Sequence, residues 1–153
     1  MRRLRGRGSP ADTDRLRRRL PPGLSPVHLP ADAIAAMLSH AGNCAPEECC
    51  GLIATDPSGE IRFVYPLANA DMSPTSFTID PEESYGAFMH ADRNGWSIGG
   101  VFHSHPTGPD FLSERDILET PDPGWFHILI CPDGLRAFRI EEGQAEEIPI
   151  IGF

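Results

Sequence analysis

The stretch Ser97-Ile-Gly-Gly-Val-Phe-His-Ser-His105 is an apolar run that ends in two histidines. Its composition favours a buried strand, which Pro106 would end. Because side chains two residues apart leave a strand on the same face, the imidazoles of His103 and His105 should point to one place. Neutral imidazoles are common zinc ligands, so the pair predicts a metal site or, alternatively, a surface or hydrogen-bonded histidine pair.

A helix predicted to begin at Ser113 supplies a carboxylate close behind this pair. Six loop residues separate Pro106 from Ser113, and Asp116 lies three positions later on the same helix face. Asp116 can complete a set of two histidines and one carboxylate, which leaves a fourth zinc position open, as in catalytic sites. Ser-x-x-acid is also typical of a helix N-cap, but capping alone does not explain the two preceding histidines.

A candidate proton shuttle occurs in Pro46-Glu47-Glu48-Cys49-Cys50-Gly51. A hydrolytic metal site needs an acid/base group that is not itself a ligand. A carboxylate at the entrance of the apolar strand after Glu48 can lie at the rim of the sheet, beside the metal. The alternative interpretation of Glu47 or Glu48 is a solvated loop charge.

The remaining hydrophobic pattern predicts a mixed α/β domain with a single sheet and no internal repeat. Helices are predicted at residues 31–42, 81–94 and 113–119, and strands at 49–55, 61–67, 77–79, 97–105, 126–131 and 135–140. Within this pattern His127 is expected to be a hydrogen-bonded core residue. Trp96 and Trp125 are expected to be packing or rim residues, and Trp125, which follows Pro123 and Gly124, is the better candidate of the two to flank a substrate groove.

The charge of the chain is unevenly placed. Its 153 residues, 40% of them apolar, carry a formal net charge of −9 and suffice for one domain. All 13 basic residues are arginines, and eight of them fall in the first 19 residues beside two acidic residues, whereas 20 acidic residues follow. Such an acidic body repels phosphate backbones, which argues against nucleic acid as the main partner. We predict an Arg- and Pro-rich disordered leader at 1–26 and a folded domain at 27–153.

No stretch approaches the roughly 20 apolar residues that cross a bilayer, and the N-terminus lacks the apolar centre of a secretory signal. We therefore expect a cytoplasmic protein with no membrane partner. The four cysteines contain no C-x-x-C pair, which argues against a disulfide framework and a four-thiolate zinc site. Cys49 and Cys50 are expected to be small apolar residues on opposite faces of a strand.

The joint motif resembles the JAMM, or MPN-plus, metalloprotease family in every motif position. It comprises Glu48 with Pro46 two before it and Gly51 three after it, then His103-Ser-His105-Pro106, six residues and Ser113-x-x-Asp116. The resemblance covers about residues 27–150. It implies an α+β fold of the JAMM/MPN type, in which helices flank a single curved mixed sheet in a cytidine-deaminase-like, three-layer arrangement.

The resemblance also implies the role of each motif residue. It implies that one zinc ion per chain is bound by His103, His105 and Asp116. Glu48 would be the general acid/base, and Ser113 would hold the catalytic water or stabilise the oxyanion. Ser104 would be only a small residue between the two histidines.

Within the family, the segment Asn69-Ala-Asp-Met-Ser-Pro-Thr75 and the 37 residues after Asp116 look like the compact bacterial Mec-type enzymes. Those enzymes release cysteine from the C-terminus of a ubiquitin-like sulfur-carrier protein. The resemblance implies hydrolysis of the amide bond after the C-terminal Gly-Gly of such a carrier. Cysteine, another amine or a protein lysine would be the leaving group, and a homodimer is one expected state. No substrate-binding residue is assigned.

Several other classes share part of the motif. A RadC-like DNA-associated protein has the same histidine and Ser-x-x-Asp elements, but the segment around Glu48 and the acidic body argue against it. A cupin needs a nearby glutamate where this chain has Pro109 and Asp110, and a zinc deaminase needs a C-x-x-C pair. The binding-module alternative is an inactive MPN scaffold, which loses ligands, whereas every ligand type is present here.

Overall fold

The apolar run after Glu48 forms an inner strand of a six-stranded mixed sheet. The computed structural model describes residues 25–152, so most of the predicted leader lies outside the described residues. The strands are β1 (Val27–His28), β2 (Cys50–Thr55), β3 (Ile61–Leu67), β4 (Ser97–Ser104), β5 (Phe126–Cys131), β6 (Gly134–Glu141), β7 (Gln144–Ile148) and β8 (Ile150–Ile151). The helices are α1 (Ala31–Cys44), α2 (Pro81–Arg93) and α3 (Glu114–Leu118).

The sheet has the strand order β3-β2-β4-β5-β6-β7, and β1 pairs with β8 in a separate two-stranded ribbon. Within the six-stranded sheet β4 and β5 are parallel, and the other neighbours are antiparallel. A parallel pair requires a crossover connection, which here contains α3. The crossover therefore starts where β4 delivers its histidines and passes through the helix that carries Asp116.

Helices cover both faces of the sheet. Met37 of α1 packs in one apolar cluster with Ile53 and Phe102, whereas Ala87 of α2 packs in a second cluster with Leu52. Leu52 and Ile53 are neighbours on β2, so their side chains point to opposite faces of the sheet. The helix–sheet–helix layering agrees with the three-layer arrangement that the resemblance implies. None of the helices between residues 25 and 152 is long and apolar enough to cross a membrane.

Local chemistry explains where two of the helices begin. Asp80 caps α2 by accepting a hydrogen bond from the backbone N–H of Glu83 (3.0 Å), and Pro81 occupies the first turn, where a missing N–H costs nothing. Ser113 caps α3 in a capping box with Asp116. The helical start that the sequence predicts at Ser113 is confirmed.

The prediction of a strand at 77–79 is wrong. The segment is a loop whose β-type backbone pairing is limited to the isolated bridge between Asn69 and Ile79, which lies outside the named strands. Phe77 turns inward and stacks on the ring of His103 at a centroid distance of 4.5 Å. The side chain of Asn69 bonds to this segment instead: its Nδ2 donates to the carbonyl of Ser76, and its Oδ1 accepts from the N–H of Thr78.

The sequence pattern also missed β1, β7 and β8. β7 is an exposed edge strand containing Glu146 and Glu147, residues that are depleted in strands but common on protected edges. It follows a tight turn in which Glu142 and Gly143 have φ angles of 51° and 76°. β1 and β8 have two residues each, which is too short for a period-two pattern.

Replacing Gly51 with Ala is expected to destabilise the fold. A Cβ atom at this position would overlap with the carbonyl oxygen of Tyr65 and the ring of Phe102. Overpacking of this kind costs about 1–3 kcal/mol, and we expect that loss in the free energy of unfolding from denaturant titration. Gly42→Ala, on the exposed side of α1 with nothing within 4 Å, is the control and should be neutral or stabilising. Equal stability of the two variants would contradict the packing described for β2.

Candidate metal centre

The end of β4 delivers both histidines to one place. His103 lies in β4, and His105 continues the same ladder because its backbone N–H donates to the carbonyl of Ile130 in the parallel neighbour (2.9 Å). Both side chains are buried, with residue exposures of 0% and 5%. Their Nε2 atoms are 3.1 Å apart. The convergence predicted from the His-x-His spacing is therefore present.

Asp116 closes a triangle with the two imidazoles. Its Oδ2 atom is 3.1 Å from Nε2 of His103 and 3.2 Å from Nε2 of His105. Two ligands of a tetrahedral zinc ion with bonds of 2.0–2.1 Å are about 3.3 Å apart. The three atoms thus have the spacing and the chemical types of a zinc donor set.

Hydrogen bonds from the surrounding chain orient this triangle. Nδ1 of His105 is 2.8 Å from the carbonyl oxygen of Pro109, so the ring donates its proton there and turns the lone pair of Nε2 towards the centre. The backbone N–H of Ser113 donates to Oδ2 of Asp116 (2.8 Å). Nδ1 of His103 is buried and has no hydrogen-bond partner among residues 25–152.

The electrostatics of His103 and Asp116, two of the three members of the triangle, suit ligands of a cation. Burial lowers the pKa of His103 and thus favours its neutral form. Burial also acts to lower the pKa of His105, but the hydrogen bond to Asp116 and the carbonyl of Pro109 outweigh it and raise that pKa. Burial acts to raise the pKa of Asp116, yet its bonds to the two histidines dominate and lower it. The carboxylate stays ionised, as metal binding requires.

Glu48 is the fourth buried polar group at this site. It lies just before β2, is 4% exposed, and has a carboxylate oxygen within 4.8 Å of imidazole nitrogens of His103 and His105. Burial raises the pKa of Glu48 to about 7, against a smaller opposing effect of His105. A carboxyl group with a pKa near neutral can both accept and release a proton.

Two donor sets therefore share the histidine pair. Glu48, His103 and His105 form one candidate metal site, and Asp116 with the same histidines forms the other. The separations of 3.1–3.2 Å in the Asp116 set match the spacing of ligands on one ion more closely. The Asp116 set is therefore the tighter of the two, and the Glu48 carboxyl lies within 4.8 Å of imidazole nitrogens of the same histidines.

Ser104 and Ser113 both accept hydrogen bonds that hold the backbone around the site. The sequence predicted the capping bond of Ser113 but not the bond of Ser104. Oγ of Ser104 accepts a hydrogen bond from the N–H of Cys49 (2.8 Å), so this residue ties the chain next to Glu48 to the strand of the histidines. The interpretation of Ser104 as a mere spacer is wrong. Oγ of Ser113 accepts from the N–H of Asp116 (3.0 Å), which fixes the start of the helix that carries Asp116.

Asp116 is among the residues that line an apolar groove of about 350 Å³. Leu52 and Val101 line it from the sheet, and Phe77, Phe88 and Trp125 line it from the surrounding elements. The predicted position of Trp125 beside a groove agrees with this. No pattern in the sequence indicated that residues 75–79 line this groove, because their contact with the sheet residues depends on the folding of a loop and not on a local periodicity.

His127 is the core residue that the sequence predicts. It is buried, and its Nε2 is 3.1 Å from Oγ1 of Thr120. Burial lowers the pKa of His127 to about 4, so it is neutral at physiological pH. Its ring lines the groove but lies outside the triangle of His103, His105 and Asp116.

Comparison with known proteins places this arrangement in a family. Residues 30–141 match the family described as prokaryotic homologs of the JAB domain. The chain belongs to this family. A probable TtuB-protein conjugate cleaving protease from Thermus thermophilus is 33% identical over 82% of this chain and 83% of its own length. A CysO-cysteine peptidase from Mycobacterium tuberculosis is 28% identical over 78% of this chain and 86% of its own.

Solved structures support the same placement of this JAB domain. A Desulfitobacterium hafniense protein superposes with a TM-score of 0.74 and 33% identity, covering 83% of this chain and 92% of its own. A JAB1/MPN domain protein from Archaeoglobus fulgidus gives 0.55 at 18% identity, with coverages of 83% and 98%, which compares the fold alone. The predicted JAMM/MPN fold is confirmed, and the protein is a JAMM-type metallopeptidase.

Proposed function

We propose that this JAB domain hydrolyses the amide bond after the C-terminal Gly-Gly of a ubiquitin-like sulfur-carrier protein. The observation that carries the proposal is the buried triangle of His103, His105 and Asp116 beside the buried carboxyl of Glu48. The names of the two relatives support the substrate class, since one acts on TtuB-protein conjugates and the other is a CysO-cysteine peptidase.

In this proposal His103, His105 and Asp116 hold one zinc ion per chain. When bound, zinc supplies a Lewis acid that polarises a carbonyl and lowers the pKa of a water molecule. The neutral state of His103, the orientation of His105 by Pro109 and the ionised state of Asp116 prepare the three side chains for that ion. The proton on Nδ1 of His105 stays on the ring, because it is held in a hydrogen bond to the carbonyl oxygen of Pro109.

Glu48 is the proposed general acid/base. Its carboxylate takes a proton from the attacking water and returns it to the nitrogen of the leaving amine as the C–N bond breaks. The raised pKa of Glu48 makes the second transfer possible near neutral pH. Ser113 is proposed to steady the water or the developing oxyanion, because its Oγ accepts from Asp116 N–H and its own hydroxyl proton stays available to donate.

The apolar groove is the proposed seat of the carrier's tail. Its lining includes the sheet residues Leu52 and Val101, the loop residue Phe77, and Asp116 of the triangle. An extended peptide can lie along such a groove and present its last carbonyl beside the triangle. Glycines at the end of the tail allow the two backbones to approach closely.

Mass spectrometry of two defined adducts tests the function. A ubiquitin-like carrier ending in Gly-Gly is linked to cysteine in one substrate and to a lysine side chain in the other, and each is incubated with the zinc-loaded protein. We expect the intact mass of the carrier to return to that of the free Gly-Gly form, with the cysteine adduct cleaved faster. A carrier ending in Ala-Ala is the control and should stay intact. If zinc-loaded protein leaves both Gly-Gly adducts unchanged, the proposed substrate class is wrong.

A further inference from the structure

Asn69 links the groove to the backbone of Glu48. This half-buried residue follows β3 and begins the Asn69–Thr75 segment, which contributes none of the donor atoms of the triangle. Its Nδ2 donates to the carbonyl oxygens of Glu48 (3.0 Å) and Ser76 (2.9 Å). Its Oδ1 accepts from the N–H groups of Asp71 (2.9 Å) and Thr78 (3.1 Å). The amide thereby uses its two donors and both acceptor positions.

These four partners fix the orientation of the amide. With the amide reversed, the oxygen of Asn69 would face two carbonyl oxygens and its nitrogen would face two N–H groups. The donor side therefore reaches Glu48, and the acceptor side holds the loop's own backbone. An asparagine that forms all its bonds to main-chain atoms fixes the course of two chain segments at once.

One of those segments carries the proposed acid/base, and the other lines the groove. Glu48 lies in the short connection between the end of α1 and the start of β2, where no helix or strand holds it. Its N–H donates to the carbonyl of Ser73 (2.9 Å), and its own carbonyl accepts from Asn69. Both backbone polar groups of Glu48 are therefore bonded to the 69–78 loop. The same loop contributes Ser76, Phe77 and Thr78 to the groove.

We infer that Asn69 is a positioning residue that aligns Glu48 with the substrate groove. The inference rests on the proposed function for its catalytic part. Asn69 contacts no reacting atom; it acts by holding the backbone from which the Glu48 carboxyl projects. A displacement of about 1 Å in such a group can reduce turnover by about 100-fold. Loss of the link should therefore appear in kcat, not in zinc content.

Asn69→Asp separates the two sides of the amide. The substitution preserves shape and keeps an oxygen for the N–H groups of Asp71 and Thr78. It replaces the donating nitrogen with an oxygen that repels the carbonyls of Glu48 and Ser76. Asn94→Asp is the matched control, because the Nδ2 of Asn94 likewise donates to a backbone carbonyl, that of His90 (2.8 Å), at the far end of α2.

For Asn69→Asp we expect kcat to fall by about 10- to 100-fold, with KM within about threefold and about one zinc per chain. Asn94→Asp should keep kcat within about twofold of the unsubstituted protein. A rise in KM with unchanged kcat would show that Asn69 only builds the groove, and would overturn the inference. Wild-type-like kinetics of Asn69→Asp would overturn it as well, while cleavage by the unsubstituted protein would leave the proposed function standing.

Hydrogen exchange provides a readout that does not need turnover. In Asn69→Asp the amide hydrogen of Glu48 should exchange at least about tenfold faster, whereas amides in β5 keep their protection. If Asn69→Asp fails to fold, Asn69→Ala serves instead, since water can reach the vacated partners of this half-buried side chain. Unchanged protection of the Glu48 amide in the folded variant would overturn the inference even if no substrate were cleaved by any form of the protein.

Discussion

Glu48→Gln is expected to abolish cleavage while zinc remains bound at about one ion per chain. Glutamine has the shape of glutamate but can neither take a proton from water nor return one to the leaving amine. General acid/base catalysis contributes about 100- to 10,000-fold, and Glu48 serves in both directions, so kcat should fall by at least about 1,000-fold. Zinc content by atomic emission and initial rates by mass spectrometry measure the two halves of this prediction.

The fold should tolerate this substitution. Because burial raises the pKa of Glu48 to about 7, the folded protein favours the protonated carboxyl. The stability that this group contributes is present below about pH 4.5 and is lost as pH rises through about 7. Metal-free Glu48→Gln should therefore be at least as stable as the unsubstituted metal-free protein at pH 8, measured as thermal midpoint. Glu47→Gln is the control and should retain activity within about twofold; comparable losses in the two variants would contradict the assignment of Glu48.

Removing one side chain of the triangle is expected to remove the metal. His105→Ala and Asp116→Ala each delete one of three donor atoms that lie 3.1–3.2 Å apart, so zinc affinity should fall by more than about 100-fold and cleavage with it. Competition with a chromogenic chelator gives the affinity. The large effect follows because the remaining two ligands cannot compensate for the dehydration of the ion.

Asp110→Asn provides a matched control for the loss of a carboxylate. Asp110 pairs with Arg136 at the surface (2.9 Å), outside the triangle, and its neutralisation should leave zinc affinity unchanged. Asp116→Asn adds a second comparison, because an amide oxygen can keep the capping contact with Ser113 while binding zinc far more weakly. Full zinc occupancy in Asp116→Ala together with loss in Glu48→Ala would show that Glu48 is the third ligand.

The sequence was sufficient for those parts of the site whose geometry is local. The alternation of a strand brings His103 and His105 to one face, and the capping box brings Asp116 to the first turn of its helix. The parallel pairing of β4 and β5, which the crossover makes possible, then brings these two local features together. The distance from Glu48 to the histidines depends on the long-range pairing of β2 with β4, which no local pattern predicts. The position of Glu48 was therefore predicted from its motif alone.

The rest depends on contacts between distant segments that leave no periodic signal. Ser104 bonds to Cys49, 55 positions away, and Asn69 bonds to Glu48 across 21 positions. The predicted strand at 77–79 failed because the apolar side chain of Phe77 packs on His103 instead of joining the sheet. The domain boundary at residue 27 and the disorder of the leader stay predictions, as residues 1–24 lie outside the described part of the chain.

Anomalous X-ray diffraction at the zinc absorption edge, from crystals of the zinc-loaded protein, tests the central claim most directly. We predict one peak per chain, about 2.0–2.2 Å from Nε2 of His103, Nε2 of His105 and a carboxylate oxygen of Asp116, with Glu48 beyond bonding distance. A peak bonded by Glu48 in place of Asp116, or no ordered peak between the two imidazoles, would contradict the account.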